Sequence, residues 1–108
     1  MAQQTSETPV LDLLAGMTAL SLKTSTLDTQ GIMLARIAAL VATDAPPISY
    51  ALNLGVAGQA DVDAEQIRGV FAAIAPIVGT ARIASAMGNI VKALALEELA
   101  EAGAQTPA

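Results

Sequence analysis

Asp44-Ala-Pro-Pro-Ile-Ser-Tyr-Ala-Leu-Asn53 lies between two apolar segments, and its punctuation decides how the whole chain is read. Pro46 and Pro47 suit the first turn of a helix, where the amide hydrogens they lack would find no intrahelical acceptor. With Asp44 as N-cap, the stretch predicts a helix from Ala45 onward. Ser49 and Asn53 then fall one turn apart on a single stripe, with Tyr50 beside them. This polar set in an apolar neighbourhood is the first candidate site. The competing account is side chains bonded to backbone at a helix start.

Upstream, Thr8 caps and Pro9 opens a first helix, with Val10, Leu13, Leu14 and Met17 at the 3–4 spacing of one buried face. Ser21 to Thr26 reads as a connection. Ser25-Thr-Leu-Asp28 has capping-box spacing and predicts a second helix to about Thr43. Its inward stripe is Met33, Leu34, Ile37, Leu40 and Val41, and Arg36 lies off that stripe. The third helix carries Ile48, Ala51, Leu52 and Val56. Downstream, Asp63-Ala-Glu-Gln66 repeats the capping pattern and opens the clearest amphipathic segment, with Ile67, Val70, Phe71, Ile74 and Val78 on one side. Pro76 predicts a kink or an early end, Gly79 a stop, and Thr80 the cap of a fifth helix running toward Ala102. That helix has a core stripe of Ile83, Met87, Ile90 and Leu94, and beside it small residues at Thr80, Ala84 and Gly88 that would admit another backbone. Glu97, Glu98 and Glu101 oppose the macrodipole at its end, so fraying is expected there. No segment alternates strictly between apolar and polar residues. The reading is an all-α fold of five to six helices, one domain over 8–102, with disordered tails at 1–7 and 103–108.

Composition narrows the function classes. Of the 108 residues 54% are hydrophobic and only 14% charged, against about 25% charged in ordinary soluble domains. A monomer of this size has little interior in which to hide that surface, so a protein partner is expected, most simply a second copy of the chain. Gly31–Ala42 and Gly69–Ala81 fall short of the ~20 residues a membrane span needs. A net charge of −5 with five scattered basic residues offers no track for phosphates, which argues against nucleic acid. No basic, then apolar, leader opens the sequence, and a cytoplasmic location is expected. With no cysteine and no histidine, disulfides, thiol redox chemistry, imidazole catalysis and the usual zinc sites are excluded, and neither metal nor cofactor is expected. Asp61 and Asp63 flank a helix start, where capping explains them better than catalysis does.

Two later landmarks carry a resemblance. They are Ala60-Asp-Val-Asp-Ala-Glu-Gln-Ile67 and Ile74-Ala-Pro-Ile-Val-Gly-Thr80. From Leu27 to Val91, about two-thirds of the chain, the order of segments resembles the carboxymuconolactone decarboxylase family, which includes alkylhydroperoxidase D. The family pattern has a Cys-x-x-Cys-x-x-x-His segment opening a helix, a Glu-Glu-Ile or Glu-Gln-Ile helix start, an Ala-Pro-x-x-Gly kink and a long last helix. Its two cysteines fall on Pro46 and Ser49, its histidine on Asn53, and the upstream glutamate of the peroxidase branch on Met33 or Leu34. The resemblance therefore implies the family's helical domain and its trimers or hexamers. The chemistry is carried over at no residue, because proline is not a nucleophile, serine forms no reversible disulfide and asparagine is no general base.

Two classes of function follow. One is a non-redox homo-oligomer that binds a small apolar or weakly acidic molecule, or serves as a structural partner, around Arg36, Ser49, Tyr50 and Asn53. The other is a lyase or isomerase acting on a small carboxylate or lactone, with Tyr50 and Arg36 or Arg82 in place of the missing groups. Arginine would hold a carboxylate by a two-point contact in either class.

Overall fold

A computed structural model describes residues 7–105, the side chains of 56, 59 and 97–105 excepted. The helices are α1 (Pro9–Thr24), α2 (Thr29–Ala42), α3 (Pro47–Gln59), α4 (Ala64–Val78) and α5 (Thr80–Gln105), and no strand occurs among the described residues. Pro9 occupies the first turn of α1 as expected, but the helix runs on through Ser21–Thr24 instead of yielding to a loop there. Likewise α5 stays helical to Gln105, three residues beyond the expected end. Residues 1–6 and 106–108, the Val56 side chain and those of Glu97, Glu98 and Glu101 lie outside the described residues.

Helix starts follow the carboxylates. Asp28, not Ser25, caps α2, and its Oδ1 accepts the Gly31 amide at 2.7 Å. The Ser25 hydroxyl accepts instead from the Leu27 amide at 3.1 Å, closing the turn after α1. A carboxylate is the stronger acceptor for the free amides of a first turn. At α4 the reciprocal box forms as its spacing predicts: Gln66 N–H donates to Asp63 Oδ1 (2.8 Å) and Asp63 N–H to Gln66 Oε1 (3.1 Å).

Helix ends explain the role of Asp44, which is not the cap of α3. It closes α2 in the left-handed region, φ 52°, while Pro47 is the first residue of α3. The Ala45 amide reaches back to the Leu40 carbonyl (3.0 Å) and the Asp44 amide to Val41 (3.2 Å), the paired bonds of a Schellman motif. The end of α3 repeats this with Asp61 at φ 62°, Val62 N–H on Ala57 O (2.9 Å) and Asp61 N–H on Gly58 O (3.2 Å). In both motifs the residue after the aspartate, Ala45 or Val62, is buried, so each turn pins the chain to the core. Gly79, φ 87°, ends α4 three residues beyond Pro76, which the helix carries without ending at it.

The core is two clusters bridged by Leu54 and Phe71. Val41, Ala45, Tyr50, Ala86 and Ala93 form one, and Met33, Ile37, Ala57 and Val62 the other. Tyr50, Met33, Ile37 and Val41 are fully buried, each contributing about 1.5–3 kcal/mol. The α2 and α4 stripes face inward as the spacing predicts. On α3, however, Ile48 and Leu52 are exposed and Tyr50 points inward. On α5, Met87 and Leu94 are exposed, and Ala86 and Ala93 make the floor. Tyr50 of α3 shares one buried cluster with the small residues Ala86 and Ala93 of α5, and an aromatic ring placed there takes a large apolar surface out of water.

The first helix departs most from expectation. Its Val10, Leu13, Leu14 and Met17 are half to two-thirds exposed, and it buries no residue. The radius of gyration is 15.9 Å, against about 13 Å for a compact domain of this length.

Candidate functional site

Arg36 and Asn53, 17 positions apart in sequence, line one open groove of about 330 Å³, whose other lining residues come from α1 and α2. Arg36 projects from the side of α2 next to its core stripe, half-buried, and its Nη2 donates to the Thr18 carbonyl of α1 at 3.3 Å. The only ion pair among the described residues is the exposed Arg68–Glu65 contact, so Arg36 has no carboxylate partner there. Asn53 is half-buried on α3. Its Nδ2 donates to the Ser49 carbonyl one turn back at 2.8 Å, the side-chain-to-backbone bond that the competing account of this polar set expects, and Oδ1 and the second amide hydrogen take no part in that bond. Met17, Ala39 and Leu40 supply apolar wall, and Thr18 and Ser21 supply polar edge.

Of the four residues singled out from the sequence, Arg36 and Asn53 come together. Ser49 is half-buried and touches the arrangement through its carbonyl. Tyr50 does not line the groove. Its ring is wholly buried in the core, and its hydroxyl has no hydrogen-bond partner. Burial, and secondarily the Asp44 carboxylate, push its pKa above the ordinary tyrosine value. Arg82 is exposed on α5 and lines none of the grooves described. Asp44 is tied instead to α5: Ser85 Oγ donates to its Oδ1 at 2.6 Å, and Asn89 Nδ2 donates to the neighbouring Ala45 carbonyl at 3.1 Å.

The contribution of α1 is what sequence reasoning missed. Thr18 and Ser21 are three apart on that helix, a spacing that puts both on one side, and this was the available signal. Chemically the groove offers one permanent cation, one amide, two hydroxyls and aliphatic wall. No histidine, aspartate or glutamate lines the groove, and the groups that do are of the kind that hold a molecule. Among the described residues no set of acidic side chains could hold a metal ion, and no helix is long and apolar enough to cross a membrane.

No family model, no curated protein and no solved structure matches this chain.

Proposed function

We propose that the chain is a carboxymuconolactone decarboxylase-like helical protein without thiol peroxidase chemistry. On this reading it works as a homo-oligomer that binds a small, mostly apolar carboxylic acid in the Arg36–Asn53 groove. The observation that carries the ligand class is Arg36: half-buried, free of any acidic partner among the described residues and satisfied only by a backbone carbonyl at 3.3 Å. An incoming carboxylate makes a stronger, two-point contact with the guanidinium, while its tail lies on Met17 and Leu40. Asn53 supplies the orienting hydrogen bond. The lyase or isomerase alternative needs Tyr50 as its proton donor, and the buried position of that ring leaves no observation in its favour.

Octanoate and octanamide test this as a matched pair, titrated calorimetrically against the intact protein. A charge-assisted bond exceeds a neutral one by about 1–1.5 kcal/mol, so octanoate should bind roughly 5- to 10-fold more tightly than the amide, whose oxygen also accepts from the guanidinium. Arg36→Met should erase that difference. Asn53→Leu should weaken octanoate with little cost in stability. Equal binding of acid and amide, or an unaltered preference in Arg36→Met, would overturn the reading.

A further inference from the structure

Every residue of α1 is exposed, and none of its side chains belongs to either core cluster, whereas α2, α3, α4 and α5 all supply side chains there. Yet α1 gives Met17, Thr18 and Ser21 to the groove that Arg36 and Asn53 line. Two further open spaces border the same helix. One of about 470 Å³ is shared by Leu11, Leu14 and Leu22 with Leu52 of α3, and one of about 230 Å³ by Ser21 with Ile32 and Ala35 of α2. The hydrogen bond from Arg36 Nη2 to the Thr18 carbonyl ties α1 to α2, and its 3.3 Å lies past the ~3.2 Å upper end of ordinary N–H···O contacts. A helix with so little buried surface stands at the low end of local stability, where opening costs least.

We propose that α1 is a hinged wall of the Arg36–Asn53 groove: it exchanges between a released and a docked position, and an acid bound in the groove holds it docked. The hinge rests on the ligand site proposed above and accounts for how that site closes. The coupling follows from which helices line the groove. A ligand on Arg36, Leu40 and Met17 touches α2 and α1 together, whereas with α1 released it keeps only the contacts of α2 and α3. It therefore binds the docked position more tightly, and shifts the population toward it by that difference in affinity. Arg36 can serve both partners, since a guanidinium carries several N–H donors and the Thr18 carbonyl takes one. The pivot is residues 25–28, between Thr24 at the end of α1 and Thr29 at the start of α2. Asp28 caps α2 through its own bond to the Gly31 amide, so α1 can swing ahead of that cap without unwinding α2. With 16 residues, α1 is close to the length at which a helix without packing is marginal in water. Release therefore opens its amides to exchange with solvent.

Hydrogen–deuterium exchange of the intact protein, read by peptide mass, tests the hinge with octanoate as the probe. Without octanoate the α1 amides should exchange at least ~10-fold faster than those around Val41 and Tyr50 in the core. Saturating octanoate should slow them severalfold along the whole helix, including Leu13 to Gly16, which lie outside the groove, and should change α4 little. In Arg36→Met, octanoate should leave α1 exchange as it was. The outcomes separate the hinge from the site. Octanoate that binds calorimetrically but leaves α1 exchange unchanged, slows it only from Met17 to Ser21, or slows all five helices alike would make α1 a fixed wall, with the ligand site still standing. Amides of α1 as slow as those of the core before any ligand is added would overturn the hinge in the same way. No binding of octanoate by calorimetry overturns the site and the hinge together.

Discussion

Among the described residues, Tyr50 is buried at a cost. Its ring fills the space between α3 and the Ala86–Ala93 floor of α5, but its hydroxyl is buried with nothing to bond. Leaving such a group unpaired costs about 1–3 kcal/mol, so Tyr50→Phe should keep the ring packing and raise stability by about 1 kcal/mol in urea unfolding. The pH dependence carries a sign. The folded-state pKa is raised, so the folded protein holds the phenolic proton more tightly than the unfolded chain does. Stability is then full below the unfolded value of about 10 and falls as pH rises toward the folded value. Tyr50→Phe should remove that alkaline decline, and an unchanged decline in the variant would count against burial as its cause. In the sequence this residue looked like part of a polar site, because adjacency to Ser49 and Asn53 is visible in a string of letters. The direction in which a ring points is not, since it depends on how closely a second helix can approach.

Helices are where the sequence is most legible, and their rotations where it is least. The Asp63–Gln66 box, Pro9 in the first turn, and the stop at Gly79 each rest on a local backbone requirement that a few letters specify. The α2 and α4 stripes were readable for the same reason, since each has one apolar side. By contrast α3 and α5 each carry apolar residues on more than one side, Ile83 and Ile90 beside Met87 and Leu94 on α5, so periodicity could not say whether Ile48 or Tyr50, Met87 or Ala86, would turn inward. Two glycines separate helix propensity from capping. In α4, a methyl group at Gly69 would meet nothing within 4 Å, and Gly69→Ala should stabilise by up to ~1 kcal/mol. In α2, a methyl group at Gly31 would stand 2.9 Å from Asp28 Oδ1, the oxygen that caps that helix. Gly31→Ala should therefore gain nothing, and thermal melts of the two variants distinguish the cases. An equal rise in both would mean that the Asp28 cap yields without cost.

As a whole the molecule is a four-helix core with a fifth helix laid against it, and its atom inventory constrains its chemistry more tightly than its shape does. With no thiol anywhere, the purified protein should reduce organic hydroperoxides no faster than a protein-free blank, whichever thiol donor is supplied. A steady-state assay with cumene hydroperoxide and dihydrolipoamide measures this, and turnover above the blank would contradict it. The groove holding Arg36 and Asn53 was only half legible, since the sequence marked both residues, whereas the spacing of Thr18 and Ser21 put them on one side of α1 without saying which segment that side would face. Long-range contacts between segments that are each locally self-sufficient leave little trace in either one. The placement of the only tyrosine, in a chain without tryptophan, also has an optical consequence. Tyrosine emission comes from a single ring where α3 meets α5, whereas peptide ellipticity is collected from every helix. Loosening of α1 alone would dim the ellipticity and leave the emission unchanged, so recording both in one melt separates undocking of the outer helix from collapse of the core.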